Sequence, residues 1–453
     1  MHASPFPGSF RVALRLTCAI TLTSLLLSPG SAETVKDREG AVRDDKAALE
    51  NDARWIYNDY EKGFAEAKRT GKPLLVVLRC VPCLACAGID AQVLLQETDL
   101  VPLLNQFVCV RVINANALDL SLFQFDYDLS FSALFFNADR SIYGRYGSWS
   151  HQKNAQDKTT ASFKRALESV LELHRGYPAS KTGLAGKQGG STPFKTPVEL
   201  PGLLGKYKLD LNWNGKVVPS CVHCHQIGDA FRVSYRDKGQ SIPLDWIYPC
   251  PVPETIGLTL AADQAARVEA IAPNSIAARS GLQPGDDIVL IAGQRPISTA
   301  DVSWALHRFP NEGSPTVVVR RAGSEQTLTL ALSSNWRMQS DISRRVGTWP
   351  MRGMVTGGLV LEDLTDDERT RRELSKDSMA LLVKFVGEYG KHAAAKKAGF
   401  QKGDVIVTIG EFKTRASESE LIGRLLQDRK PGEKVKTAVL RAGERVELEL
   451  PMQ

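Results

Sequence analysis

The sequence predicts a multidomain chain: an α/β layered domain, a small cysteine-bearing module, and two β-rich α+β domains. Three observations carry this. The 453 residues exceed what one core needs at roughly 100–200 residues per domain. Apolar runs between residues 49 and 175 fall in the order strand, helix, strand, strand, which is an α/β pattern. A motif, Gly281-Leu-Gln-Pro-Gly-Asp-Asp-Ile-Val-Leu-Ile-Ala-Gly293, recurs as Gly399-Phe-Gln-Lys-Gly-Asp-Val-Ile-Val-Thr-Ile-Gly410, so one domain type occurs twice. A hydrophobic content of 43% and a charged content of 24% exclude a wholly disordered chain.

Residues 1–32 hold Arg11 and Arg15, an apolar run from Leu16 to Leu27, and a small-residue exit Pro29-Gly30-Ser31-Ala32. This is the pattern of a secretory signal peptide, with cleavage expected after Ala32. The run is shorter than the roughly 20 residues of a spanning helix, and no later segment reaches that length. The expected location is therefore outside the cytoplasm, in the periplasm or cell envelope, where disulfides persist. Removing Arg11 and Arg15 lowers the formal charge from +6. No Lys/Arg run forms a phosphate-tracking stripe, which argues against nucleic acid as a partner.

Residues 33–48 are charged and read as a leader or the start of a helix. Trp55, Ile56, Tyr60, Phe64 and Ala67 have helical spacing, and Gly71-Lys72-Pro73 ends the run. Leu74–Leu78 reads as a buried strand, Ile89–Leu95 and Leu100–Leu104 as helix, Phe107–Ile113 and Ala133–Phe136 as strands, and Phe163–His174 as a closing helix. Residues 176–202, with Gly-Gly-Ser-Thr-Pro and further prolines, read as a linker. Residues 203–254 form a small module with little core of its own. The repeated domains span 255–335 and 355–453. In each, Arg-Ala-Gly (Arg321 to Gly323, Arg441 to Gly443) sits between β-rich runs and predicts a hairpin turn.

Of the eight cysteines, Cys18 lies in the export segment. The others cluster, which points to redox, metal or cofactor chemistry more than to stapled loops. Cys80, Cys83 and Cys86 follow the strand Leu74–Leu78, where the first turn of a helix would stabilise a thiolate with its unpaired N–H groups. This block, Trp55 to Leu173, resembles the thioredoxin-like family, in particular secreted forms with Gly-Lys-Pro before the core strand. The resemblance implies Cys83 and Cys86 as the active pair, with Cys80 and Cys83 as the alternative. It also implies a proline just before Ala133–Phe136, yet Tyr127–Asp139 contains none, which puts ordinary disulfide reductase activity in doubt. A metal or iron–sulfur site with Cys109 as fourth thiolate is a further possibility.

Cys221-Val-His-Cys224-His225 is the C-x-x-C-H signature of covalent haem c attachment. Two thiols would bond the haem vinyl groups and His225 would ligate the iron. The resemblance to cytochrome c covers this motif alone. No methionine lies between the export segment and Met338, leaving Cys250 or a histidine from elsewhere as a sixth ligand. The rival is zinc held by Cys221, Cys224, Cys250 and His223 or His225.

Thr255-Ile-Gly257-Leu258, then Val268 to Ala277, then Gly281-Leu-Gln-Pro-Gly285-Asp286 resembles a bacterial-type PDZ domain, and Gly357 to Gln453 is a second, less close copy. The resemblance implies protein or peptide C-termini as partners. Amides around Ile256, Gly257 and Leu258, and around Gly357, Gly358 and Leu359, would receive the terminal carboxylate while the peptide adds a strand. A charged insertion, Glu362–Lys376, interrupts the second copy. PDZ pairs accompany exported serine proteases, but the chain has no nucleophile elbow and no H-E-x-x-H, which excludes a protease. Two readings remain: a thiol or haem redox protein with PDZ modules and a redox partner protein, or a non-enzymatic envelope scaffold.

Overall fold

The computed structural model describes residues 37–81, 99–147, 160–262 and 264–453. The expected export segment, Cys83, Cys86 and the helix expected over Ile89–Leu95 lie outside the described residues.

Helix α1 (Arg38–Leu49) starts at Asp37, whose carboxylate accepts from the Gly40 amide. The helix expected from Trp55 onward divides. Trp55–Tyr57 is strand β1, Asn58 takes a left-handed φ of 57°, and Asp59 caps helix α2 (Tyr60–Thr70) by accepting from the Lys62 amide. An Asx cap outweighs apolar spacing here, because it starts the helix only after the turn. Gly71 at φ 69° ends α2. Next come β2 (Leu74–Arg79), α3 (Val101–Leu104), β3 (Val108–Val112), β4 (Phe131–Phe136), β5 (Ile142–Tyr146) and α4 (Ala161–Arg175). Strand β5 was not expected, since Gly144 and Arg145 interrupt its apolar run.

The sheet order is β1-β3-β2-β4-β5, parallel through β1, β3 and β2 and antiparallel beyond. Alternate residues face opposite layers. Leu75, Val77, Ala133 and Phe135 pack with α4 residues such as Phe163, Leu167 and Val170. Leu74, Val76, Leu134 and Phe136 pack with Phe64 and Ala67 of α2.

The cysteine module consists mainly of α5 (Cys224–Asp237) and α6 (Leu244–Ile247). It lacks a separate core: Val222, Ile227, Ala230 and Phe231 join the α2 layer of the sheet. The stretch expected as a linker is instead a packed strap. Its 3₁₀ segment Ala179–Lys187 buries Leu184 and Lys187, and Leu200 is also buried.

The first repeat contains β6 (Leu258–Leu260), β7 (Val268–Ile271), α7 (Ile276–Arg279), β8 (Asp287–Ile291), α8 (Thr299–Arg308), β9 (Thr316–Arg321) and β10 (Ser324–Thr329). Its sheets are β6-β7 and β10-β9-β8. Before and within the second repeat lie α9 (Thr348–Val355), β11 (Leu359–Asp363), α10 (Asp366–Arg371), β12 (Leu381–Val386), α11 (Ala394–Lys397), β13 (Val405–Ile409), α12 (Glu418–Asp428), β14 (Lys434–Arg441) and β15 (Glu444–Pro451). Its sheet is β11-β12-β13-β14-β15.

The repeat extends to individual bonds. Arg321 Nε lies 2.7 Å from Asp286 Oδ1 and Arg441 Nε 2.8 Å from Asp404 Oδ1, while the second guanidinium nitrogens donate to Gly281 O and Gly399 O. Both Arg-Ala-Gly turns have positive φ at two residues, 49° and 83° in one and 51° and 88° in the other, the twist that suits a two-residue hairpin. The charged insertion forms the end of β11 and helix α10.

Candidate functional site

Cys80 follows the last residue of β2, at the carboxyl end of the parallel strands, where open α/β sheets place their sites. Its amide donates to Ser130 O at 2.9 Å. Ser130 directly precedes β4, so a serine stands beside Cys80 in the place where the family resemblance implies proline. Cys109 does not join this group. It pairs in register with Leu75, five residues before Cys80, its Sγ faces Leu104 O at 3.7 Å, and burial pushes its thiol up to about 12. It is a core thiol.

The C-x-x-C-H motif does come to Cys80. Cys80 Sγ lies 3.1 Å from His223 Nδ1, across 143 residues of sequence. Cys80, Cys221 and His223 line one small cavity with Val42, Val81, Ile113, Leu211 and Val217. Burial pushes Cys221 up to about 11, and it pushes Cys224 up strongly, with the charges of Cys80 and Cys221 adding to the effect. Burial, aided by the positive neighbours His225 and Arg38, lowers His223. Desolvation dominates each shift because it disfavours whichever form is charged.

Residues that no motif singles out hold this segment in place. Asn116, after β3 and fully buried, donates to Lys208 O and Ser220 O and accepts from the Val222 amide at 2.6 Å. Glu39 of α1 accepts the Val217 and Val218 amides. Gln226 caps α5 by accepting the His223 amide at 2.8 Å. Asn116 lies four residues after the end of the buried strand β3, with no sequence signal that sets it apart from Asn114.

The fit to haem c is poor. The cavity beside Cys80, Cys221 and His223 holds about 20 Å³, room for about one water, whereas ligand pockets run to several hundred Å³. Cys224 packs against the core and Val222 is buried. His225 alone suits the role, with Nδ1 3.4 Å from Asp229 Oδ2 and a partly exposed ring. The residues as arranged do not fit the group. Nor is the expected zinc set assembled. Cys250 lies in a different pocket with Asp126, Ser132, Arg145 and Trp304, and among the described residues no group of three or more His, Cys, Asp or Glu side chains is placed to hold a metal ion.

The peptide-binding expectations separate between the repeats. In the first, Gly257 has φ 77°, and a Cβ there would meet Ser275 at 2.1 Å, so the turn requires glycine. Ile256 and Leu258 are buried in the core. Among the described residues strand β6 keeps one edge without a strand neighbour, while α8 is fixed to the α/β domain: Asp301 accepts the Arg145 amide and pairs with buried Lys187 at 2.7 Å.

In the second repeat the loop amides are bonded locally, as Gly257 N is to Glu254 O at 2.9 Å in the first. Gly358 N donates to Arg352 O at 3.0 Å, Leu359 N to Thr356 O, and Leu361 N to Glu418 Oε1 at 2.8 Å. Gly357 holds the turn at φ 60°. Helix α9 touches both β11 and α12. Its Met351, Met354 and Val355 share a core with Leu359, Leu361, Leu421 and Leu425, and Arg352 pairs with Glu418 at 2.5 Å, both buried. The chain therefore fills its own cleft between β11 and α12.

Comparison with known proteins agrees with this architecture. A thioredoxin-like family matches residues 55–138, and two PDZ domain families match residues 267–321 and 385–452. A probable periplasmic serine endoprotease, DegP-like, from Halomonas elongata is 30% identical over 179 residues, covering 37% of this chain and 33% of that protein; the chain thus spans about a third of the length of this curated relative. Among solved structures, the HtrA-type protease AlgW with decapeptide is 18% identical, covering 30% of this chain and 48% of the other at a TM-score of 0.20. The same protease with tripeptide is 22% identical, covering 29% and 41% at a TM-score of 0.19. The chain thus carries a thioredoxin-like domain and two PDZ domains.

Proposed function

We propose that this is an exported thiol redox protein whose chemistry starts at Cys80 and whose PDZ domains bind protein partners. The observation that carries the reading is the 3.1 Å approach of His223 Nδ1 to Cys80 Sγ at the carboxyl end of β2. An imidazole there takes the thiol proton as a thiolate forms, and the thiolate is the nucleophile in disulfide exchange. The export pattern of residues 1–32 and the similarity of part of the chain to a protein named periplasmic support the location. No described helix is long and apolar enough to cross a membrane.

The test is the pH profile of Cys80 alkylation by iodoacetamide in the full chain, read by peptide mass spectrometry. Half-maximal labelling below the usual thiol pKa of about 8.5 is expected, moving upward in His223→Phe. An ordinary profile, indifferent to His223, would remove the redox reading.

The second reading is a scaffold without catalysis. The self-filled cleft of the second PDZ domain and the serine beside Cys80 favour it, since both remove groups through which such domains meet substrates.

A further inference from the structure

We propose that Cys221 and Cys224 form an internal dithiol that resolves disulfides captured at Cys80, so that the three thiols act in the order Cys80, Cys221, Cys224. This rests on the reading that Cys80 is redox active. Three placements support the order. His223, which lies between the two cysteines in sequence, reaches Cys80 Sγ at 3.1 Å. Cys80 and Cys221 line the same small cavity. Cys224, the first residue of α5, lies three residues beyond Cys221. Both members of the pair are in the thiol form, and the segment bearing them is held against the α/β domain by Asn116 and Glu39. A motif brought to the reactive end of β2 from 143 residues away, and fixed there by buried bonds, is suited to act on Cys80.

The steps balance. Cys80 thiolate attacks a partner's disulfide, forming a Cys80–partner mixed disulfide and releasing one partner thiolate. Cys221 thiolate attacks Cys80 Sγ, forming Cys80–Cys221 and releasing the second partner thiolate. Cys224 thiolate attacks Cys221 Sγ, forming Cys221–Cys224 and regenerating Cys80 thiolate. Protons lost by the attacking thiols go to the leaving thiolates, with His223 at hand to carry the first. The net change is one partner disulfide reduced to two thiols and one internal dithiol oxidised to a disulfide. A dithiol reductant outside the chain returns the pair to its starting state.

The experiment adds one equivalent of oxidised glutathione to the reduced full chain, quenches with acid at intervals, alkylates, and maps cysteines by mass spectrometry. Cys221–Cys224 should accumulate in the native sequence, Cys224→Ser should trap Cys80–Cys221, and Cys80→Ser should slow oxidation of the pair about tenfold or more. Circular dichroism of each variant checks that the fold is kept. Pair oxidation at an unchanged rate in Cys80→Ser overturns the relay. Glutathione captured at Cys80 with the pair left reduced also overturns it, while leaving Cys80 redox active. Failure of Cys80 to capture glutathione at all removes the redox reading itself. Haem found bonded to Cys221 and Cys224 in natively exported protein overturns the relay as well.

Discussion

Replacing Asn116 with Ala deletes one side chain and leaves the carbonyls of Lys208 and Ser220 and the Val222 amide without their partner. Buried groups left unpaired cost about 1–3 kcal/mol each where water does not replace the lost bond, so a loss of about 2–4 kcal/mol is expected in urea unfolding. Cys221 should also alkylate faster under native conditions, because its burial depends on this anchor. An unchanged midpoint with unchanged labelling would show that Asn116 does not hold the site. The same residue shows what a linear sequence conceals. The Cys221–His225 motif and Cys80 were each singled out as candidates by type and spacing. Their meeting was not, because it depends on Asn116 and Glu39 acting across long stretches of chain. The haem and zinc expectations followed from spacing alone, and the packing of Cys224 and the separate pocket of Cys250 oppose them.

At the level of elements, local chemistry was the best guide. Gly71 stops α2, Ser275 caps α7, and the two Arg-Ala-Gly turns make the hairpins that the repeat predicted. Apolar spacing misled at Trp55, where three residues pair with Cys109 to Arg111 as a strand edge. The sequence pattern points to the Gly357–Leu359 loop but says nothing of α9, whose place is set only by packing against β11 and α12. Opening the second PDZ cleft requires α9 to leave, and Met351→Asp, which sets a charge among Leu359, Leu361 and Leu421, should favour departure. Binding of a fluorescent peptide with a free C-terminal carboxylate should tighten about tenfold, which is about 1.4 kcal/mol, whereas Met351→Leu should leave it unchanged. Equal anisotropy curves for all three proteins would mean that α9 is not what closes the cleft.

Across the whole molecule, the domains are joined by buried charge as well as apolar contact. Arg345, in the segment between the two PDZ domains, reaches Asp126 Oδ2 at 2.9 Å and Asp128 Oδ2 at 3.2 Å in the thioredoxin-like domain, and donates to Cys250 O in the cysteine module at 3.1 Å. Asp128 also accepts the amide of Gly347, the residue directly before α9. One guanidinium therefore ties three parts of the chain together. Such a pair adds little over a well-packed apolar substitute, but removing one partner strands the other and costs about 3–5 kcal/mol. Arg345→Met should lose about that much at pH 7. Burial already pushes Asp126 up, and Arg345 is the main group opposing it; without the cation the folded-state value rises further above the unfolded one. A carboxyl raised in the folded state favours folding when protonated and loses that advantage as pH rises through the folded value. The deficit of the variant should therefore shrink as pH falls from 7 toward the unfolded Asp value of about 3.9, which paired urea titrations across that range can measure. A deficit constant with pH would mean that Arg345 acts through its packing and not by neutralising the two aspartates.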